Sequence, residues 1–157
     1  MPTTSHRPGQ RILAILLLFW SLYVSLVFLS NTADALRALN WLPANWIFVS
    51  GNYALVRQVI SIYSTSVWLS GLFYGGVLIW QSVGSILLWR AFAATLRQTP
   101  NRQAATERAL TVLIGLWAAF IVADEFFLAY ELPGLSSTHF SLLLTSLATL
   151  IAFRIKS

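Results

Sequence analysis

The sequence predicts an all-α protein: a four-helix transmembrane bundle with an extracytoplasmic helical cap between its first two spans. Three observations carry this. First, four apolar segments at 12–29, 67–89, 109–130 and 135–153 are separated by little other sequence. A hydrocarbon core about 30 Å thick needs roughly 20 apolar residues at 1.5 Å of helix rise each. The first three segments meet this outright, and the fourth does so with its Ser and Thr residues counted in. Second, 57% of the 157 residues are apolar and only 10% are charged, against about 25% charged in soluble domains. Third, the basic residues are one-sided. Arg7, Arg11, Arg90, Arg97, Arg102, Arg108, Arg154 and Lys156 fall on one side of a four-pass chain, and only Arg37 and Arg57 on the other. The positive-inside rule then puts both termini and the loop 90–108 in the cytoplasm. The chain reads as a single integral membrane domain, 1–157.

The elements follow in order. Residues 1–11 are polar, contain Pro2, Pro8 and Gly9, and read as a cytoplasmic tail. In the first helix Ser21 and Ser25 are four apart, so they share a face that can pack against a neighbour or hydrogen-bond to it. A basic start, an apolar run and Ala33-Asp34-Ala35 imitate a signal peptide and its cleavage site. The apolar run has 18 residues, longer than the 7–15 or so of a signal core, and Trp20 and Tyr23 suit a retained span.

The connection 30–66 is too long to lack structure in a compact domain. Ala35, Leu36, Leu39 and Leu42 have near-helical spacing, with Pro43 as the expected stop. Trp41 and Trp46 flank it, as residues at headgroup depth do. A second amphipathic stretch, 53–63, sets Val56, Val59, Ile60 and Tyr63 on one face. The cap is therefore expected to hold one or two short helices lying in the membrane interface.

The second span carries Gly71 and Gly75 in a GxxxG spacing, with Gly76 adjacent. Small residues let helix backbones approach closely where lipid gives no hydrophobic drive between helices. Packing within the bundle is the expectation, with homodimerisation or docking on another membrane subunit as the alternative. Thr99-Pro100-Asn101 marks the cytoplasmic turn and Pro133-Gly134 the external one.

Polar groups inside spans are the functional candidates. Asp124 and Glu125 sit late in the third span, Glu131 one to two turns further out, and Arg37 and Arg57 fall on the same side. The expected role is structural: a carboxylate, Glu125, pairs with Arg57 or Arg37 and pins the cap to the bundle. The functional alternative is a proton or cation site at Glu125 and Asp124. Successive helical residues point about 100° apart, so these two do not form a shared-proton dyad. Gln81, mid-span in the second helix, is expected to hydrogen-bond between helices. His139, at the start of the fourth helix, is an interfacial polar residue of a type that titrates near neutral pH.

Several chemistries are excluded or unsupported. There is no cysteine, so disulfides, thiolate metal sites and cysteine nucleophiles are ruled out. His6 and His139 fall on opposite sides, against a paired-histidine haem. No GxSxG, P-loop, HExxH or GxGxxG occurs, which weighs against an enzyme, and neither cofactor nor metal is expected. The charge of +5 lacks the basic stripe with interleaved aromatics of a nucleic-acid binder. The expected partners are the lipid bilayer and other membrane subunits or further copies of the chain.

Five stretches carry a likeness: Leu29-Ser30-Asn31-Thr32-Ala33-Asp34, Val56-Arg57-Gln58-Val59-Ile60-Ser61, Ile79-Trp80-Gln81 with Leu88-Trp89-Arg90-Ala91, and Asp124-Glu125-Phe126-Phe127-Leu128. With these the chain resembles a family of small bacterial four-span membrane proteins of unknown function. Where that family tends to carry a His before the second helix and a Glu within it, this chain has Gln58 and Gln81, while Glu125 fits the pattern. The resemblance implies the four-span topology and no activity. The functional expectation is a small accessory or interaction subunit of a membrane complex, with a proton- or cation-linked transport component as its rival.

Overall fold

In the computed structural model, residues 8–64, 66–132 and 134–156 are described, with backbone alone at 8–10, 131 and 156. The polar tail before Pro8 and the turn residue Pro133 lie outside them. Every element among the described residues is helical. Four helices are long and apolar enough to cross a membrane: α1 (Pro8–Ala38), α3 (Val67–Leu96), α4 (Arg102–Phe126) and α5 (Leu135–Lys156). The short α2 (Asn52–Ile60) and a 3-10 turn at Ser61–Tyr63 form the cap between the first two of these.

The spans are longer than the apolar runs that mark them. Helix α1 continues nine residues past Leu29 and absorbs the first expected cap helix. Its end comes before Pro43, at a left-handed Asn40 with φ 60°. Trp41 N–H reaches Leu36 O at 2.9 Å and Asn40 N–H reaches Arg37 O at 3.0 Å, the paired bonds of a Schellman ending. Asparagine tolerates that conformation better than most residues. Helix α3 ends in the same way at Gln98, φ 53°, with Thr99 N–H on Ala94 O at 3.1 Å. The expected loop 90–108 thus shrinks to 97–101, because flanking polar residues continue the helical hydrogen bonding.

Helix α1 packs along α3, α3 along α4 and α4 along α5, so helices consecutive in the bundle are antiparallel neighbours; α2 lies against α1 and α3 at one end. The core is a column of Leu17, Trp20, Val24, Leu88, Leu110, Leu113, Leu116 and Trp117. Ala91 and Ala109, both at 0% exposure, allow α3 and α4 to approach there. Three hydrogen bonds here add helix-to-helix specificity. Ser25 Oγ donates to Ser21 O at 2.6 Å and accepts from Ser85 Oγ at 2.7 Å and Trp89 Nε1 at 3.0 Å, joining α1 to α3. Trp80 Nε1 donates to Val112 O at 3.0 Å, joining α3 to α4.

The expected close packing at Gly71, Gly75 and Gly76 is absent. A Cβ added at any of the three would meet nothing within 4 Å. The close approach lies further along, where a Cβ on Gly115 would stand 3.2 Å from Trp80 Cζ2. The reason is rotational. The buried side of α3 carries Ser70, Tyr74, Gln81 and Leu88, and the GxxxG pair is turned away from it.

Candidate functional site

Two buried polar groupings occupy the cap end of the bundle. The first centres on Asp34, which is 4% exposed near the end of α1. Its Oδ2 accepts from Tyr53 N–H at 2.8 Å and Ser50 Oγ at 3.2 Å, and its Oδ1 from Arg37 Nη2 at 3.2 Å. Tyr74 Oη lies 3.2 Å from Asn31 O and 3.5 Å from Asp34 Oδ2, and its single proton serves one or the other. One turn deeper, Asn31 Nδ2 donates to Gln81 Oε1 at 2.9 Å, and Asn31 Oδ1 accepts from Asn52 Nδ2 at 2.9 Å.

Local backbone explains the fit. Gly51 opens α2 at φ 76°, a conformation that costs glycine nothing. That turn aims Tyr53 N–H, one of the free donors at a helix start, at a carboxylate. Asn52 N–H meanwhile bonds Ser50 Oγ at 3.1 Å. The Tyr53 ring then packs edge-on against Tyr74, with centroids 5.3 Å apart. One carboxylate and one amide pair thereby fix α2 to both α1 and α3.

The second grouping joins α4 to α5. Asp124 Oδ2 lies 2.7 Å from His139 Nδ1, with side chains 6% and 15% exposed. The Phe120 ring, one turn below Asp124, covers the imidazole at 4.9 Å between centroids. A neutral His139 in this geometry carries its proton on Nδ1 and donates it to the carboxylate, leaving Nε2 bare.

These arrangements correct the expected pinning of the cap. Glu125 does not meet Arg57 or Arg37; it is exposed and accepts from Tyr130 Oη at 2.6 Å. That bond, with lesser contributions from burial and the Glu125 charge, raises the Tyr130 phenol above its ordinary range. Arg37 is taken by Asp34, three residues away on its own helix, and Arg57 is exposed with no ion pair among the described residues. The Glu131 side chain lies outside the described residues. Asp124 and Glu125 point to different partners, and Gln81 bonds across to α1.

Sequence reasoning missed Asp34, Asn31, Ser50, Asn52 and Tyr74 as site residues, and did not pair His139 with Asp124. A signal for Asp34 existed. Asn31 and Asp34 are three apart and share a helix face once α1 is allowed to run past its apolar segment. Among the described residues no group of three or more His, Asp or Glu side chains is placed to hold a metal ion. No family model, curated protein or solved structure matches this chain, so fold and site stand on its own residues. Together they describe a multi-pass membrane protein.

Proposed function

We propose that this chain is a small interaction subunit of a bacterial inner-membrane complex, a single membrane domain with both termini in the cytoplasm and the cap outside. The observation that supports it is the uncovered face of α3. Trp68, Leu72, Ile79 and Ile86 are all exposed, and with Gly75 they fall at intervals of four, three, four and seven residues. That spacing keeps them on one helix face. The open Cβ positions at Gly71 and Gly75 leave a shallow depression on this face, the form of surface on which another transmembrane helix packs closely. The cap adds a second surface, for Trp41, Trp46, Ile47 and Phe48 are exposed on a segment held by Asp34.

Mild-detergent extraction from the source membrane followed by native sizing tests this. The native chain should migrate well above its 17.5 kDa. Gly71→Leu with Gly75→Leu should release it as a folded single chain, since a Cβ at either position stands in open space. A wild-type protein that runs alone, and that cross-links to nothing in intact membranes, would sink the proposal.

A further inference from the structure

We propose that Asp124 and His139 form a proton-binding site at the cap end of the bundle, one that reads acidity on that side and passes no proton through. It does not rest on the interaction role. An imidazole is the side chain whose charge changes between about pH 5 and 8. Here its Nδ1 is committed to Asp124 at 2.7 Å, so the incoming proton must settle on Nε2. Proton uptake converts a buried carboxylate hydrogen-bonded to a neutral ring into a buried ion pair. The site's charge goes from −1 to zero while both side chains stay largely covered. That change falls where the end of α4 meets the start of α5, beside a connection in which Leu128 and Gly134 hold left-handed backbone at φ 51° and 80°.

Among the described residues no other ionisable side chain bonds to the pair; Glu131, on the 3-10 turn packed against both helices, has its side chain outside them. On α4, Glu125 is turned away and held by Tyr130 of the following 3-10 turn. On α5 the next ionisable group is Arg154, fifteen residues on, or about 22 Å at 1.5 Å each. Helix α3 brings only Tyr74 to this end, and it is bound into the Asp34 network, as is Arg37 of α1; Arg57 of α2 is exposed.

The path inward is interrupted. Trp117 and Thr106 share the buried face of α4 with Asp124, and their Nε1 and Oγ1 are buried without partners. Between these two lie Leu110 and Leu113, at 0% and 1% exposure within the apolar core. From Trp117 to Thr106 is eleven residues, about 16 Å, too far for one water to bridge. On α5 the next buried hydroxyl inward of His139 is Ser146, seven residues or about 10 Å away and donating to Leu143 O, so protonation at His139 is confined to the cap side.

The test uses the full chain in lipid nanodiscs, labelled with ¹⁵N-histidine, with His6→Gln leaving one imidazole. Above the titration the ring should be the Nδ1–H tautomer, and acidification to pH 5 should add a proton at Nε2. Asp124→Leu should turn the neutral ring to the commoner Nε2–H tautomer. A ring that keeps one protonation state from pH 5 to 8, or a neutral wild-type ring protonated on Nε2, would overturn the site. So would an Asp124→Leu protein with the wild-type tautomer. The wild-type spectra decide without the variant should Asp124→Leu fail to fold. Proton flux into proteoliposomes above that of protein-free vesicles would overturn the one-sidedness.

Discussion

Trp20 of the first helix donates its indole N–H to the hydroxyl of Thr149 in the last, at 3.1 Å and across 129 residues of sequence. Helices α1 and α5 touch little elsewhere, and both side chains are buried at this point. Thr149 in turn donates to Thr145 O at 2.8 Å, so its one proton is committed and the hydroxyl meets the indole as an acceptor. Trp20→Phe keeps most of the apolar volume and deletes the donor. It should destabilise the bundle by about 0.6–1.7 kcal/mol, the range for polar contacts between membrane helices. Unfolding in mixed micelles measures it, and cross-linking between α1 and α5 should fall in step.

Asp34→Ala removes the acceptor for Tyr53 N–H and Ser50 Oγ and the partner of Arg37. Hydrogen bonds to a charged acceptor are worth about 1.5–3 kcal/mol. Because the bonds to Ser50 and Tyr53 hold the start of α2 against α1, the loss should be local. Hydrogen exchange should rise across 41–60 while α4 and α5 keep wild-type protection. Uniform loss of protection along the chain would show that Asp34 supports the whole bundle instead.

Two kinds of glycine separate cleanly. Gly115→Ala brings a methyl 3.2 Å from Trp80 Cζ2, so the indole must give way and its bond to Val112 O lengthens. Gly75→Ala meets nothing and gains helix propensity of up to about 1 kcal/mol. Melting of the isolated chain should therefore drop for the first and hold or rise for the second. Equal losses at both positions would mean that Gly75 is covered within the single chain.

Tyr130 offers a pH test outside the spans. Its raised phenol stems chiefly from donation to Glu125. For an acid whose pKa is raised on folding, the stabilising contribution is present below the unfolded value, about 10 for tyrosine. It is lost as pH climbs through the higher folded value. Glu125→Gln removes the negative charge, so the phenolate absorbance of Tyr130 should appear at lower pH than in wild type. Difference spectra between the two proteins and Tyr130→Phe identify the residue. An unmoved alkaline transition would show that the 2.6 Å bond does not persist in solution.

Membrane sequences declare their spans because lipid cannot satisfy backbone polar groups, so long apolar helices are nearly forced. Residue type likewise marked Gln81 as an interhelical hydrogen-bonder, since a carboxamide inside a span needs a partner. Its partner was hidden. Asn31 lies beyond the apolar run of α1, in sequence that reads as loop until Leu29 is seen to lie inside a helix reaching Ala38. Asp34 was hidden for the same reason, and its neighbours Ala33 and Ala35 gave it the look of a cleavage site.

The sequence by itself determined the number of spans, the bundle class and the place of the cap, all of which follow from the length and polarity of contiguous segments. Tertiary structure alone decided which polar groups meet. Glu125 and Asp124 are adjacent in sequence, yet one faces out to Tyr130 and the other is buried against His139. Helix rotation sets that choice, and rotation is fixed by the packing of whole helices, such as the turn that leaves Gly71 and Gly75 open while Trp80 fills the space at Gly115. Such packing sums many weak contacts between segments far apart in the chain, and no local stretch of sequence contains it.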